Sequence, residues 1–115
     1  MYESKKNLFV GFPFEKEAGP KEAKEVQSRI VKAFEEQTNA QYNVVDYVDA
    51  AGMVDHPILG LAKALTGLAK ADLAVFSEDW RTSTICTVLK LCADKYQIQN
   101  FDLSLLVKED NKNAW

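Results

Sequence analysis

The chain has 115 residues, with 17 Asp and Glu against 14 Lys and Arg, one His and two Cys, and a formal net charge of −3. That length suits one domain with one core, and the acidic balance offers no electrostatic footprint for a nucleic-acid polymer or an anionic membrane, both of which reward clustered Lys and Arg. One His and no CxxC pair exclude a structural zinc site, and no apolar run suits a signal peptide or a membrane span, so a cytoplasmic protein without metal or cofactor is expected.

Asn7 to Phe12 (NLFVGF) is an almost continuous apolar run stopped by Pro13, which reads as a buried strand. Glu15 to Pro20 is a loop. Lys21 to Gln37 places Ala23, Val26, Ile30, Ala33 and Phe34 at steps of three and four residues, an amphipathic helix that Asn39 closes. Tyr42 to Val48 (YNVVDYV) is a second strand and Asp49 to His56 a loop. Pro57 suits the first turn of a helix that continues to Ala69. That helix is apolar over more than half its circumference, so two sides should be covered, by the sheet and by a neighbouring helix or another subunit. Asp72 to Phe76 (DLAVF) is a third strand and Ser77 to Thr82 a polar loop. Thr82 or Ser83 can cap a third helix whose apolar face is Ile85, Val88, Leu89, Cys92 and Tyr96. Gln97 to Asn100 and Leu103 to Val107 are expected to close the sheet. Residues 1–107 then form the domain and 108–115 a polar tail.

Strands that alternate with helices and are continuously apolar predict an α/β three-layer sandwich, with a central parallel sheet of about four or five strands and helices on both faces. Open parallel sheets bind ligands at the carboxyl ends of their strands, which directs attention to three loops: Pro13 to Gly19, Asp49 to His56, and Ser77 to Ser83. Gly11 ends the first strand, where it allows either close approach of a ligand or plain strand packing. Trp80, in a polar loop, is either a lid over the core or a stacking surface for a base. Arg81 offers a fork of donors to a phosphate, and Thr82, Ser83 and Thr84 offer hydroxyls and free NH groups at a helix start. Glu78 and Asp79, with Asp49 and Asp55, are the acids available for catalysis, and His56 is the single imidazole. Asp72 lies at the opposite edge and reads as structural. Cys86 and Cys92, about 120° apart round a helix, cannot form a disulfide with each other.

The stretch ADLAVFSEDWRTSTICTVLKLCA resembles the nucleoside 2-deoxyribosyltransferase-like superfamily, in the spacing of Asp72, Trp80, Ser83 and Ala93. The opening strand followed by Pro13 is similar to the same family's Tyr-Leu-Ala-Gly-Pro start. The resemblance runs from about Asn7 to Ile98. It implies a Rossmann-like domain that binds a nucleoside or nucleotide at the three loops, with Gly11, Phe12, Pro13, Phe14, Trp80, Arg81 and Ser83 forming the pocket. Active members attack the anomeric carbon with a helix carboxylate. Counting from Ser83, the family's Gly-Ala pair falls here on Ile85 and Cys86, and its nucleophilic Glu falls on Leu89.

A leucine cannot form a glycosyl ester, and Ile and Cys should fill the space of a sugar. The sequence therefore predicts a binding domain without the family's transfer chemistry. Two alternatives stand beside it: a transferase or N-glycoside hydrolase with a displaced carboxylate, and a protein-interaction module with a filled pocket. A homo-oligomer is expected from the apolar helix 58–69 and from the habit of the family.

Overall fold

The computed structural model describes residues 5–48 and 57–105. Strand and helix alternate along them: β1 (Asn7–Gly11), α1 (Pro20–Thr38), β2 (Asn43–Val44), α2 (Pro57–Ala69), β3 (Leu73–Phe76), α3 (Thr84–Lys95) and β4 (Gln99–Asp102), with 3-10 turns at Phe14–Lys16 and Trp80–Thr82. The strands form one four-stranded sheet, all parallel, in the order β2-β1-β3-β4. This is an α/β, Rossmann-like sandwich.

Right-handed crossovers put α1 on one face of this sheet and α2 with α3 on the other. Packing agrees with the register. Phe101 pairs with Val75, and its ring lies 5.4 Å from that of Phe34 on α1. Phe76 pairs with Gly11, and its ring lies under Lys90 of α3. β1 and β3 are central, and Leu8, Phe9, Val10, Ala74, Val75 and Phe76 are wholly buried. Covered on both faces, they have no polar positions to alternate with apolar ones, hence their continuous apolar sequence.

α1 starts at Pro20, whose fixed φ suits the first helical position, and ends at Asn39 in the left-handed conformation (φ 52°). Ala23, Gln27, Ile30 and Phe34 form its buried stripe. α2 is covered by the sheet side and by a neighbouring helix, α3, which is one of the two expected arrangements. Gly60, Ala64, Gly67 and Leu68 face inward, because the helix sits so close that a Cβ on Gly67 would lie 3.1 Å from Tyr47 Cβ. Ile58 and Leu59 of its first turn stay 67% and 53% exposed.

Two strand boundaries also differ. Only Asn43 and Val44 of the Tyr42 to Val48 run pair with β1. Tyr47 leaves the edge to stack on Phe9 at 4.7 Å and donate its hydroxyl to the Val10 carbonyl at 2.6 Å, a buried bond that an extended edge strand could not make. After β4, residues 103–105 turn helical instead of forming a second closing strand. Asp102 Oδ1 accepts from both Ser104 N (3.0 Å) and Ser104 Oγ (2.6 Å), a local carboxylate cap that turns the chain out of the sheet. The polar tail 108–115 lies outside the described residues. No helix among the described residues is long and apolar enough to cross a membrane.

Gln27 is the exception within the α1 stripe. It is 7% exposed, and its Nε2 has no hydrogen-bond partner among the described residues. Leaving a buried amide donor unpaired costs about 1–3 kcal/mol. Gln27→Met keeps the length and removes the orphan, so urea unfolding should show a gain of about 1 kcal/mol. A loss of that size would mean that the amide is satisfied in solution.

Candidate functional site

β1 leads through α1 to β2 on one side, while β3 lies on its other side, so the strand order reverses between β1 and β3. Parallel sheets open a crevice at the carboxyl end of such a switch point. Gly11 at the end of β1 and the three residues after it, all expected in the pocket, lie there, and the structure packs them inward. A Cβ on Gly11 would overlap the Phe76 ring, so this glycine serves strand packing. Phe12 is wholly buried and Pro13 is buried. Phe14 sits edge-on to Phe12 and Tyr47, with centroids at 6.2 and 5.4 Å.

Ser83 joins this loop to α3. It is 1% exposed, its Oγ caps α3 by accepting from Cys86 N at 3.2 Å, and it donates to the Glu15 carboxylate. Beside it, Lys16 Nζ donates to the Thr82 carbonyl at 2.7 Å. The helix start predicted as an anion site thus carries a carboxylate from the chain itself.

Beyond the cap, Cys86 and Leu89 are wholly buried and Ile85 is 9% exposed. Burial pushes the Cys86 thiol up to about 12 against the lowering hydrogen bond from Ser83. Burial also raises Tyr47 well above its ordinary value. Both groups are neutral at physiological pH. Cys86 and Cys92 are free thiols.

Trp80 and Arg81 form a second cluster, towards β4. Trp80 meets Phe76 edge-on at 6.1 Å, donates Nε1 to Asp102 Oδ2 at 3.0 Å, and carries the Arg81 guanidinium 4.5 Å above its ring. Arg81 also lies 3.6 Å from Asp102 Oδ2. Trp80 is therefore a lid on the core whose ring is covered by its neighbour. Glu78 and Asp79 are on the α1 side of β3, where they share a groove with Val26 and Ile30. Ser77 Oγ donates to Asp79 Oδ1 at 2.6 Å. Asp72 is structural, as expected, accepting from Asn7 N at 2.8 Å. Asp49, Asp55 and His56 lie outside the described residues. Among those described, no cluster of three or more His, Cys, Asp or Glu could hold a metal.

Three participants were not singled out from the sequence. Glu15 lies in a stretch whose sequence reads as loop and Tyr47 in one that reads as strand, and each is placed by a partner distant in the chain. Asp102 had a local signal, Asp-Leu-Ser, the spacing of a carboxylate that caps the residue two positions on.

Compared with known proteins, the chain matches no family model, no curated protein and no solved structure.

Asp102 offers a test of the Trp80 cluster. Its side chain is 7% exposed. Burial pushes its carboxyl up, but hydrogen bonds from Ser104 and Trp80 and the Arg81 charge outweigh this and hold it below the ordinary 3.8. A carboxyl lowered in the folded state adds stability that is complete above its unfolded value and is lost as pH falls through the folded one. Asp102→Asn should accordingly flatten the decline in stability below about pH 4, read by urea titration at successive pH values. Equal acid slopes for the two proteins would rule this assignment out.

Proposed function

We propose that the chain is a nucleoside- or nucleotide-binding domain of the nucleoside 2-deoxyribosyltransferase-like kind that does not carry out glycosyl transfer. The observation that carries this reading is the packing of α3. Leu89 is wholly buried at the position where the resemblance implies a nucleophilic Glu, and Ile85 and Cys86 fill the positions of the small pair. Glu78 and Asp79 do not substitute for it, because they line the α1 side of β3 and Leu89 belongs to α3 on the opposite face. With Phe12, Phe14 and Ser83 turned inward, the ligand rests on the outer surface of Trp80 and Arg81, where a base can stack and a phosphate can meet the guanidinium.

A second reading, an interaction module, is favoured by the same inward packing and by exposed apolar side chains on the outer helices. Ile58 and Leu59 of α2, Leu91 of α3 and Tyr96 beyond it are all more than half exposed. On this reading a second copy of the chain covers them, and sedimentation should give a dimer that Leu59→Glu with Leu91→Glu converts to monomer. A wild-type monomer at all concentrations would remove it.

Thermal shift against nucleosides and 5′-nucleotides tests the first reading. A ligand at about 100 times its Kd should add roughly 2.7 kcal/mol, and Trp80→Ala should abolish the shift. Chromatography of the same mixtures should show no free base. Release of base by the wild type would restore the enzyme, and absence of any shift across the panel would leave the interaction module.

A further inference from the structure

The groove beside β3 is separate from the Trp80 surface and has its own chemistry. It is an open groove of about 280 Å3 at the carboxyl edge of β3, walled by α1 and the chain leaving β4. Val26, Ile30 and Leu103 give it an apolar floor, with Ile30 and Leu103 only 8% and 5% exposed. Arg29 stands on the α1 wall, and Glu78 and Asp79 stand on the loop wall. Asp79 is held by the hydroxyl of Ser77, itself 5% exposed, so this wall is fixed in place. The side chains of Arg29 and Glu78 make no hydrogen bond or ion pair among the described residues, with each other or with any other group.

A guanidinium and a carboxylate that line one groove without pairing leave two complementary charges for a ligand to satisfy. We infer that this groove binds a small zwitterion of the apolar α-amino-acid class, its carboxylate on Arg29, its ammonium on Glu78 and Asp79, and its side chain on Val26, Ile30 and Leu103. Three arguments select that class. Arg suits a carboxylate because its donors form a planar fork. Two acids against one Arg make the groove net negative, which disfavours a phosphate dianion and favours a ligand that also carries a cation. The volume lies just under the roughly 300–1,000 Å3 of pockets for drug-sized ligands, so a smaller metabolite fits. This site does not depend on the nucleotide reading.

Isothermal titration of the full chain with leucine, isoleucine, valine and methionine tests it, with leucinamide and 4-methylpentanoate as analogues that each lack one charge. Saturable binding of the amino acids is expected, weakened about tenfold or more in both analogues. Arg29→Gln and Glu78→Gln should cause similar losses, and both positions are exposed, so the variants keep the fold. Nucleotide shifts should be the same in these variants as in the wild type. Three results would overturn the inference: no saturable binding up to about 10 mM, equal binding of leucinamide or 4-methylpentanoate, or amino-acid binding unaffected by either substitution.

Discussion

The hydroxyl of Ser83 sets the arrangement of the whole carboxyl edge. It accepts the Cys86 NH that opens α3, and it donates to Glu15 on the loop after β1. An N-cap hydroxyl adds about 1 kcal/mol, and here it also fixes rotational phase. A helix turns about 100° per residue, so moving the cap by one position would carry Leu89 off the sheet and bring a neighbour in. With the phase as found, Ile85, Cys86, Leu89 and Ala93 make the buried stripe of α3. Glu15 and Lys16 then tie the first loop across the helix start, so Phe12 and Phe14 occupy the switch-point crevice from within.

That crevice has a neutral lining. Phe9, Phe12, Phe14 and Tyr47 form a continuous aromatic cluster, and the Tyr47 hydroxyl is satisfied by the Val10 carbonyl. The same desolvation that raises Cys86 and Tyr47 would oppose any charge that developed beside them. The carboxylate that reaches this region, Glu15, is exposed on its outer side and bonded to Ser83 on its inner one. The rest of the lining is aromatic rings and Leu89.

The order of elements, the parallel sheet and the Ser83 cap were legible because each follows from local pattern: period, breaker or capping residue. The bounds of α1 are legible to within a residue: Asn39 is a terminal signal with a backbone mechanism, while Pro20, which reads as the end of the preceding loop, is the first helical residue. What escaped depended on partners far apart in the chain. Tyr47 looks like a strand residue until Val10 supplies an acceptor 37 positions away. The α2 helix is apolar nearly all round, and glycine and alanine bring it close enough to the sheet for Leu61, Leu65 and Leu68 to pack on the core, while Ile58 and Leu59 of its first turn stay exposed. The expected pocket residues are aromatic and hydroxyl in type, but the direction of their side chains is not in the sequence. Whether Phe12 and Phe14 point into a crevice as lining or as filling is decided by Glu15 and Lys16 closing over them.

The loop after β3 distributes its charges between two faces, which gives Trp80 its character. Glu78 and Asp79 go to the α1 side, while Arg81 goes to the α3 side with Trp80 and Asp102. Asp102 is nearly buried and satisfied by several donors, so the indole Nε1 end of Trp80 is firmly held. Arg81 is 67% exposed on its side chain, and cation–π contacts at such sites contribute about 0.5–1 kcal/mol. Exposed ion pairs contribute comparably little. The ring is thus anchored at its edge and lightly covered on its face. On the proposed reading, a planar ligand would take the place of the guanidinium at small cost, and Arg81, still tethered beside Trp80, would meet the anion that ligand carries.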